Sequence, residues 1–292
     1  MRTEEHSPRF EDLDAWPSLE AVQAMFEGQL SAVAAVREAL PAIVKAGEAA
    51  ALRLAEAGRL VYAGAGTSGR IGVQDGAELS PTFDWPEERV AFAIAGGERA
   101  LKASAEDAED DRGAAKRALT SLAIGARDVV IGVAASGATP YTLEFVEGAR
   151  DRGALTVGVA NNPGAPLLSS AEHPILIDTG PEVLAGSTRM KAGTATKLVL
   201  NMISTAVMIR LGHVHGNLMV NVQPRNSKLE DRARRIIAQE AEVSYERAGE
   251  LLREAGESVK VAIVMARLHL DCGSAEAKLA RAGGRISEAL KT

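Results

Sequence analysis

"VYAGAGTSGRIGVQDGAELSP", residues 61–81, passes from a short apolar run through a glycine turn into a helical pattern, with Gly64, Gly66 and Gly69 fitting G-x-G-x-x-G. A strand that turns on glycines straight into a helix opens a doubly wound α/β fold. What the turn holds is read from the next strand. A dinucleotide site needs an acidic residue about 20 residues on, closing the second strand, where it accepts from ribose hydroxyls. The second apolar run, "RVAFAIAGG", closes on Ala95, Gly96 and Gly97, while Glu87 and Glu88 precede it, at its wrong end. The ribose contact is missing. The turn offers instead Thr67 and Ser68, two hydroxyls beside the N–H groups of a helix start, which suit a single phosphate group.

Outward from this turn the same organisation repeats. "DVVIGVAAS" and "LTVGVANNP" are further apolar runs, "HPILIDTG" is a fifth, and helical patterns fill residues 70–79, 103–123 and 140–152 between them. Strands that read as continuous apolar runs and alternate with helices predict a doubly wound, mainly parallel five-stranded sheet covered on both faces. Ligands of such sheets sit beyond the carboxyl ends of the strands. The third strand ends there in Ser136-Gly137-Ala138-Thr139-Pro140, a second hydroxyl-bearing turn with proline in a first helical turn. Either turn alone could be a capped helix start. Two at adjacent strand ends favour a phosphorylated small molecule bound by Thr67, Ser68, Gly69, Ser136, Gly137 and Thr139.

The flanks are helical. Residues 18–58 carry apolar positions at three- and four-residue steps, with Pro41 expected to divide them into two helices. Beyond Pro224 the pattern is wholly helical, with one long helix expected over 227–255 and two shorter ones after it. The expected organisation is an N-terminal helical segment (1–58), an α/β domain (59–225) and a C-terminal helical subdomain (226–292).

Composition narrows the function. The 292 residues are 46% hydrophobic, 25% charged and only 3% aromatic, with a net charge of −6. That profile predicts a globular protein without stacking platforms for single-stranded nucleic acid, and its charge repels polyanions. The basic residues of "DRARRIIAQ" are surrounded by Glu230, Asp231, Glu240 and Glu242, so no nucleic-acid partner is expected. Cys272 is the single cysteine, which fits a reducing cytoplasm. The first residues lack the basic-then-apolar order of a signal peptide, and the apolar helix near 193–212 carries Lys197, Asn201 and Arg210, so it reads as a core or interface helix with no membrane partner. His213 and His215 lack a third ligand, so no metal is expected.

The segments "GAGTSGRIGVQDGAE", "AIAGGERAL", "AEDAEDD", "AASGATPYT", "GSTRMKAGTATKLVLNMISTAVMIRLGHVHGNLMVNV" and "VKVAIVMARL" together resemble the N-acetylmuramic acid 6-phosphate etherases, of the sugar isomerase (SIS) domain class. The resemblance runs in order over most of residues 55–290. It implies an SIS-type sheet, a lyase that needs neither metal nor other cofactor, a homodimer, and cleavage of the D-lactyl ether at carbon 3 of a cell-wall amino sugar. It also implies roles: Glu109 as the base at carbon 2 and Glu78 as the acid that protonates departing lactate.

Read from the residues alone, both carboxylates have plainer explanations. Glu78 reads as a surface helix residue, although its small and apolar neighbours after the helix of the glycine turn could let a carboxyl stay protonated. Glu109 sits in the acidic run "SAEDAEDD", which reads as a solvated surface unless Glu106 and Glu109, at i and i+3 of one helix, face the phosphate turn together. Glu106 would then bind sugar hydroxyls or tune Glu109. In "AGSTRMKAGT", Ser187 and Lys191 are candidate contacts for the phosphate or the lactate carboxylate, Arg189 being a second candidate cation there. His213 and His215 are expected at a subunit interface, completing a neighbour's pocket. A sugar-phosphate isomerase and a non-catalytic sugar-phosphate sensor, similar in these motifs, are the competing readings.

Overall fold

In the computed structural model the five apolar runs form one sheet. The structure describes every residue except Glu56, Ser104 and Thr292, and of Glu106 the backbone only. A long helix, α1 (Ser18–Leu54), leads into β1 (Leu60–Gly64), α2 (Gly66–Ala77), α3 (Leu79–Phe83), β2 (Val90–Ile94), α4 (Arg99–Lys102), α5 (Arg112–Ser121) and β3 (Val129–Val133). There follow α6 (Pro140–Asp151), β4 (Leu155–Ala160), α7 (Pro166–Ser170), β5 (His173–Leu176) and α8 (Lys191–Arg210). The chain ends in α9 (Ser227–Ala241), α10 (Tyr245–Glu254), α11 (Val259–Leu268), α12 (Cys272–Arg281) and α13 (Ile286–Ala289).

The strand order is β2-β1-β3-β4-β5 and every pairing is parallel. After β2 the chain crosses back over β1 to lay down β3, so the order reverses between β1 and β3. That reversal opens a crevice at the carboxyl ends of those two strands. Every residue of β1, β3 and β4 is buried, as their continuous apolar runs require, whereas β2 lies at the edge and leaves Phe92 partly exposed. The expected fold class is therefore the one observed, with the sheet wholly parallel.

Three expected elements differ. Pro41 lies inside α1 and does not divide it. Val36, Ala39, Ile43, Ala46 and Ala50 form a buried face on the side of β3, β4 and β5, and burying that face on both sides of Pro41 outweighs the cost of about 3 kcal/mol for an interior proline. The helical run expected over 103–123 is α5 alone. Before it, Glu106–Ala108 make one 3₁₀ turn, and the Asp111 side chain caps α5 by accepting from the Ala114 N–H at 2.8 Å. Glu106 and Glu109 therefore do not share a helix face. The long helix expected over 227–255 is two: Glu242 adopts a left-handed φ of 56°, and Ser244 starts α10 by accepting from the Arg247 N–H.

The internal contacts divide the chain into two units, one of residues 1–76 and 88–204, the other of residues 77–87 and 205–292. The first contains the sheet, with a core including Val61, Val130, Phe145, Val146 and Leu167. The second is helical around Ile237, Leu251, Ala262, Ile263 and Val264. Among the described residues, α8 is the one helix long and apolar enough to cross a membrane, but more than half of it is buried in the fold. Ala195, Val199, Leu200 and Ile203 have no exposed surface, so it is built as a core helix.

Candidate active site

The glycine turn after β1 is shaped by what its three glycines touch. A Cβ on Gly64 would come within 3.0 Å of the Gly69 nitrogen and of the Val133 carbonyl, and one on Gly69 within 3.1 Å of the Gly64 carbonyl. Gly64 and Gly69 thus let α2 pack directly on β1. Gly66 differs: it holds φ at +52°, and a Cβ there would lie 2.9 Å from Oε1 of Glu109. The third glycine role is to admit a carboxylate. The first backbone bond at this end of α2 runs from the Gly69 N–H to the Ala65 carbonyl, so residues 66–68 hold the positions where helix N–H groups lack intrahelical acceptors.

A cavity of about 440 Å³ opens at the crevice between β1 and β3. Thr67 and Ser68 from the first turn, Ser136 and Thr139 from the second, and Thr188 line it with hydroxyls, and Glu4, Arg70 and Glu109 supply its charges. Such a volume suits a small organic ligand. Thr139 is the N-cap residue of α6 yet its side chain makes no capping bond, so its hydroxyl is not spent on the helix as a plain capped turn would require. Ser136 Oγ accepts from the Ala138 N–H at 3.1 Å. Gly69 and Gly137 shape the turns rather than line the cavity. Gly137, at φ +66°, passes so close to Ala165 that a Cβ would meet its methyl at 2.4 Å.

Glu109 is held at this place by its backbone. Its carbonyl accepts the Tyr141 N–H at 2.9 Å, which ties the loop before α5 to the first turn of α6. The Tyr141 phenol is itself buried, which pushes its pKa up to about 12 and keeps it a neutral packing group. Arg70, in α2, donates through Nε to the Ala100 carbonyl and through Nη2 to the Ala103 carbonyl, at 3.0 and 3.1 Å. These bonds fasten the other end of the same acidic loop. The side chain of Glu106 lies outside the described residues.

In the segment leading into α8, Thr188 is the residue that reaches the cavity; Ser187 and Lys191 are not among its lining. Lys191 is buried with its Nζ donating to the Pro181 carbonyl at 2.8 Å, and burial pushes the ammonium pKa down. Glu182, with no exposed surface, accepts the N–H groups of Lys191 and Ala192 at 2.9 Å each and so caps α8. Its pKa is raised by burial, against which the two N–H bonds pull. The expected cation is thus engaged with the Pro181 carbonyl, while its own backbone N–H helps seat the α8 start on Glu182.

Glu78 belongs to the second unit, at the residue between α2 and α3. It is exposed, as the plain surface reading of the residues expects, and not shielded as a carboxyl kept protonated by apolar neighbours would be. In the same unit His213 Nδ1 lies 2.8 Å from the Phe83 carbonyl and 2.7 Å from the Asn221 side-chain nitrogen, and its ring meets Trp85 edge-on. His215 pairs with Glu240 at 3.4 Å. Among the described residues no three His, Cys, Asp or Glu side chains are grouped to hold a metal. Sequence reasoning missed Arg70 and Glu4. The first was legible as the residue closing "GTSGR"; the second carries no local signal, because it stands far ahead of the first strand.

Residues 42–148 match the glucokinase regulatory protein N-terminal SIS domain and residues 112–206 match the SIS domain. The chain is 50% identical to the N-acetylmuramic acid 6-phosphate etherase of Deinococcus radiodurans over 99% of its own length and 95% of that protein's. It is 48% identical to the etherase of Rubrobacter xylanophilus over the same shares. The likeness therefore takes in the first 50 residues as well, beyond the span that the motifs marked. Among solved structures, a protein of the E. coli strain CFT073 aligns with a TM-score of 0.51 at 16% identity, over 71% of this chain and 96% of that one. That match speaks to the fold.

Proposed function

The chain belongs to the N-acetylmuramic acid 6-phosphate etherase family, and from that premise we propose that it cleaves the D-lactyl ether of N-acetylmuramic acid 6-phosphate to N-acetylglucosamine 6-phosphate and D-lactate. The observation that carries the reading is the meeting of Glu109 with two hydroxyl-lined turns around one cavity at the strand crossover. In the proposed complex the phosphate rests on Thr67, Ser68, Ser136 and Thr139, with Arg70, the only cation among the described lining residues, adding charge.

In the ring-opened sugar the ether oxygen lies β to the aldehyde. Glu109 takes the proton from carbon 2, the electron pair forms the carbon 2–carbon 3 double bond, and the carbon 3–oxygen bond breaks. Glu78 gives its proton to the departing lactate oxygen. Water then adds across the double bond, hydroxide to carbon 3 and a proton to carbon 2. The base and the acid each contribute roughly 100- to 10,000-fold in rate. The role of Glu78 rests on the family resemblance, that of Glu109 on the resemblance and the cavity together. We assign the protein to a homodimer on the same resemblance, and to the cytoplasm on its single cysteine. The identity to etherases over nearly the whole chain favours this activity over an isomerase or a sensor.

The purified protein, kept in chelator, should release D-lactate from N-acetylmuramic acid 6-phosphate. Glu109→Gln should abolish both lactate release and deuterium uptake at carbon 2, read by NMR. Glu78→Gln should keep deuterium exchange and lose most lactate release. Full turnover in both variants would remove the assignment.

A further inference from the structure

Residues 1–5 lie across the sheet's carboxyl edge. Thr3 has no exposed surface: its N–H donates to Asn162 Oδ1 at 3.2 Å, its hydroxyl accepts from Asn162 Nδ2 at 3.0 Å, and its carbonyl accepts the Gly186 N–H at 3.2 Å. Asn162, just past β4, also donates to the Ala135 carbonyl at 2.8 Å, beside the second hydroxyl turn. Arg2 pairs with Asp178 beyond β5. These contacts anchor the segment immediately before Glu4, whose own side chain is solvent-exposed and lines the cavity.

The carboxylate of Glu4 is accommodated just as that of Glu109 is. Gly186 holds φ at +76°, and a Cβ on it would lie 2.8 Å from Glu4 Oε2, as a Cβ on Gly66 would lie 2.9 Å from Glu109 Oε1. Two left-handed glycines on different loops each leave room for one carboxylate of the same cavity. A dianionic phosphate is repelled by both carboxylates and drawn to Arg70 and the hydroxyl turns, which leaves the neutral, hydroxyl-bearing part of a bound phosphosugar for the acids.

We propose that Glu4 is a substrate-contacting residue, its carboxylate accepting hydrogen bonds from sugar hydroxyls of the phosphorylated amino sugar. The inference rests on the reading of the cavity as the phosphosugar site. It gives Glu4 the task of binding and orienting the carbohydrate, apart from the proton transfers of the reaction.

The test measures KM for N-acetylmuramic acid 6-phosphate, Kd for N-acetylglucosamine 6-phosphate, and inhibition by inorganic phosphate, on proteins tagged only at the C-terminal end. Glu4→Ala should raise KM and the sugar-phosphate Kd by roughly tenfold or more, the size of one lost charge-assisted hydrogen bond, with phosphate inhibition changed less than twofold. Glu4→Gln, which keeps an accepting oxygen, should recover part of the affinity. Equal weakening of phosphate and sugar phosphate would mean that the segment only shapes the cavity, and would overturn the proposal; so would a Glu4→Ala protein with unchanged constants. Ser136→Ala separates the premise from the inference. If that variant keeps wild-type phosphate affinity, the site reading and the inference fall together; if it loses phosphate affinity while Glu4→Ala is inert, the inference alone falls.

Discussion

Gly66 joins backbone conformation to chemistry more directly than any other residue of the turn. A side chain there would face a φ of +52° and the Oε1 of Glu109 at once. Gly66→Ala should cost about 1 kcal/mol of stability from the left-handed backbone, and the displaced carboxylate should lower kcat at least tenfold, a larger loss than the stability change alone would produce. Urea unfolding and steady-state kinetics on one preparation check both halves, and an unchanged kcat would detach Gly66 from the position of Glu109. At this scale the sequence was informative where chemistry is local. Thr67, Ser68, Ser136 and Thr139 announce themselves as hydroxyls at strand ends. Glu109 was hidden in an acidic run, since the loop that carries it is placed by the Tyr141 N–H from another helix. Glu4 was invisible, because the contacts that seat its neighbour Thr3 come from Asn162 and Gly186, far along the chain.

Helices and strands were legible where their periodicity reports burial. The fully buried strands read as unbroken apolar runs, and α2, α6 and α8 start close to where their patterns start. The elements depart from expectation where the surroundings of one residue outweigh its own preference. Pro41 carries a fixed local penalty, but the apolar face of α1 continues on both sides of it; conversely the run over 227–255 keeps helical periodicity while Glu242 turns left-handed and Ser244 begins a new helix. Element packing also strains one charge. Lys260 in α11 donates to the Gly284 carbonyl at 3.0 Å, in the turn between α12 and α13, and burial lowers its pKa from 10.5 to about 8. Between those two values the unfolded chain binds a proton that the folded chain does not, so stability rises with pH through that window, and below pH 8 the buried charge is carried at a cost. Lys260→Met should therefore raise Tm at pH 7 by about 2–4 °C, with the advantage shrinking toward pH 10. Calorimetry at the two pH values decides it; a lower Tm at pH 7 would show that the bond to Gly284 outweighs the desolvation.

At the scale of the whole molecule, the feature the chain does not satisfy by itself is the outer face of α1. Leu19, Val22, Phe26, Leu30, Val33, Leu40 and Val44 recur at steps of three, four and seven, on one side of the helix, and are between 43% and 68% exposed. A neighbouring face, with Val36, Ile43 and Leu54, is buried against the sheet. A helix of 37 residues is about 55 Å long, so the stripe presents an apolar band far larger than scattered surface leucines would. Sequence periodicity revealed that α1 is amphipathic but could not reveal that it is apolar on two sides, because both faces share the same spacing. The homodimer proposed above gives the second face a partner of its own kind: two copies of α1 packed along this stripe would bury apolar area of the order a stable interface needs, about 800 Å² from each partner. Phe26→Glu combined with Val33→Glu places charge at the middle of the stripe. Light scattering should show the wild-type protein at twice the chain mass and the double variant at the chain mass, with Tm in the dilute variant lowered only by the loss of association. A double variant that stays dimeric would move the subunit interface to another surface and leave the α1 stripe for a different occupant.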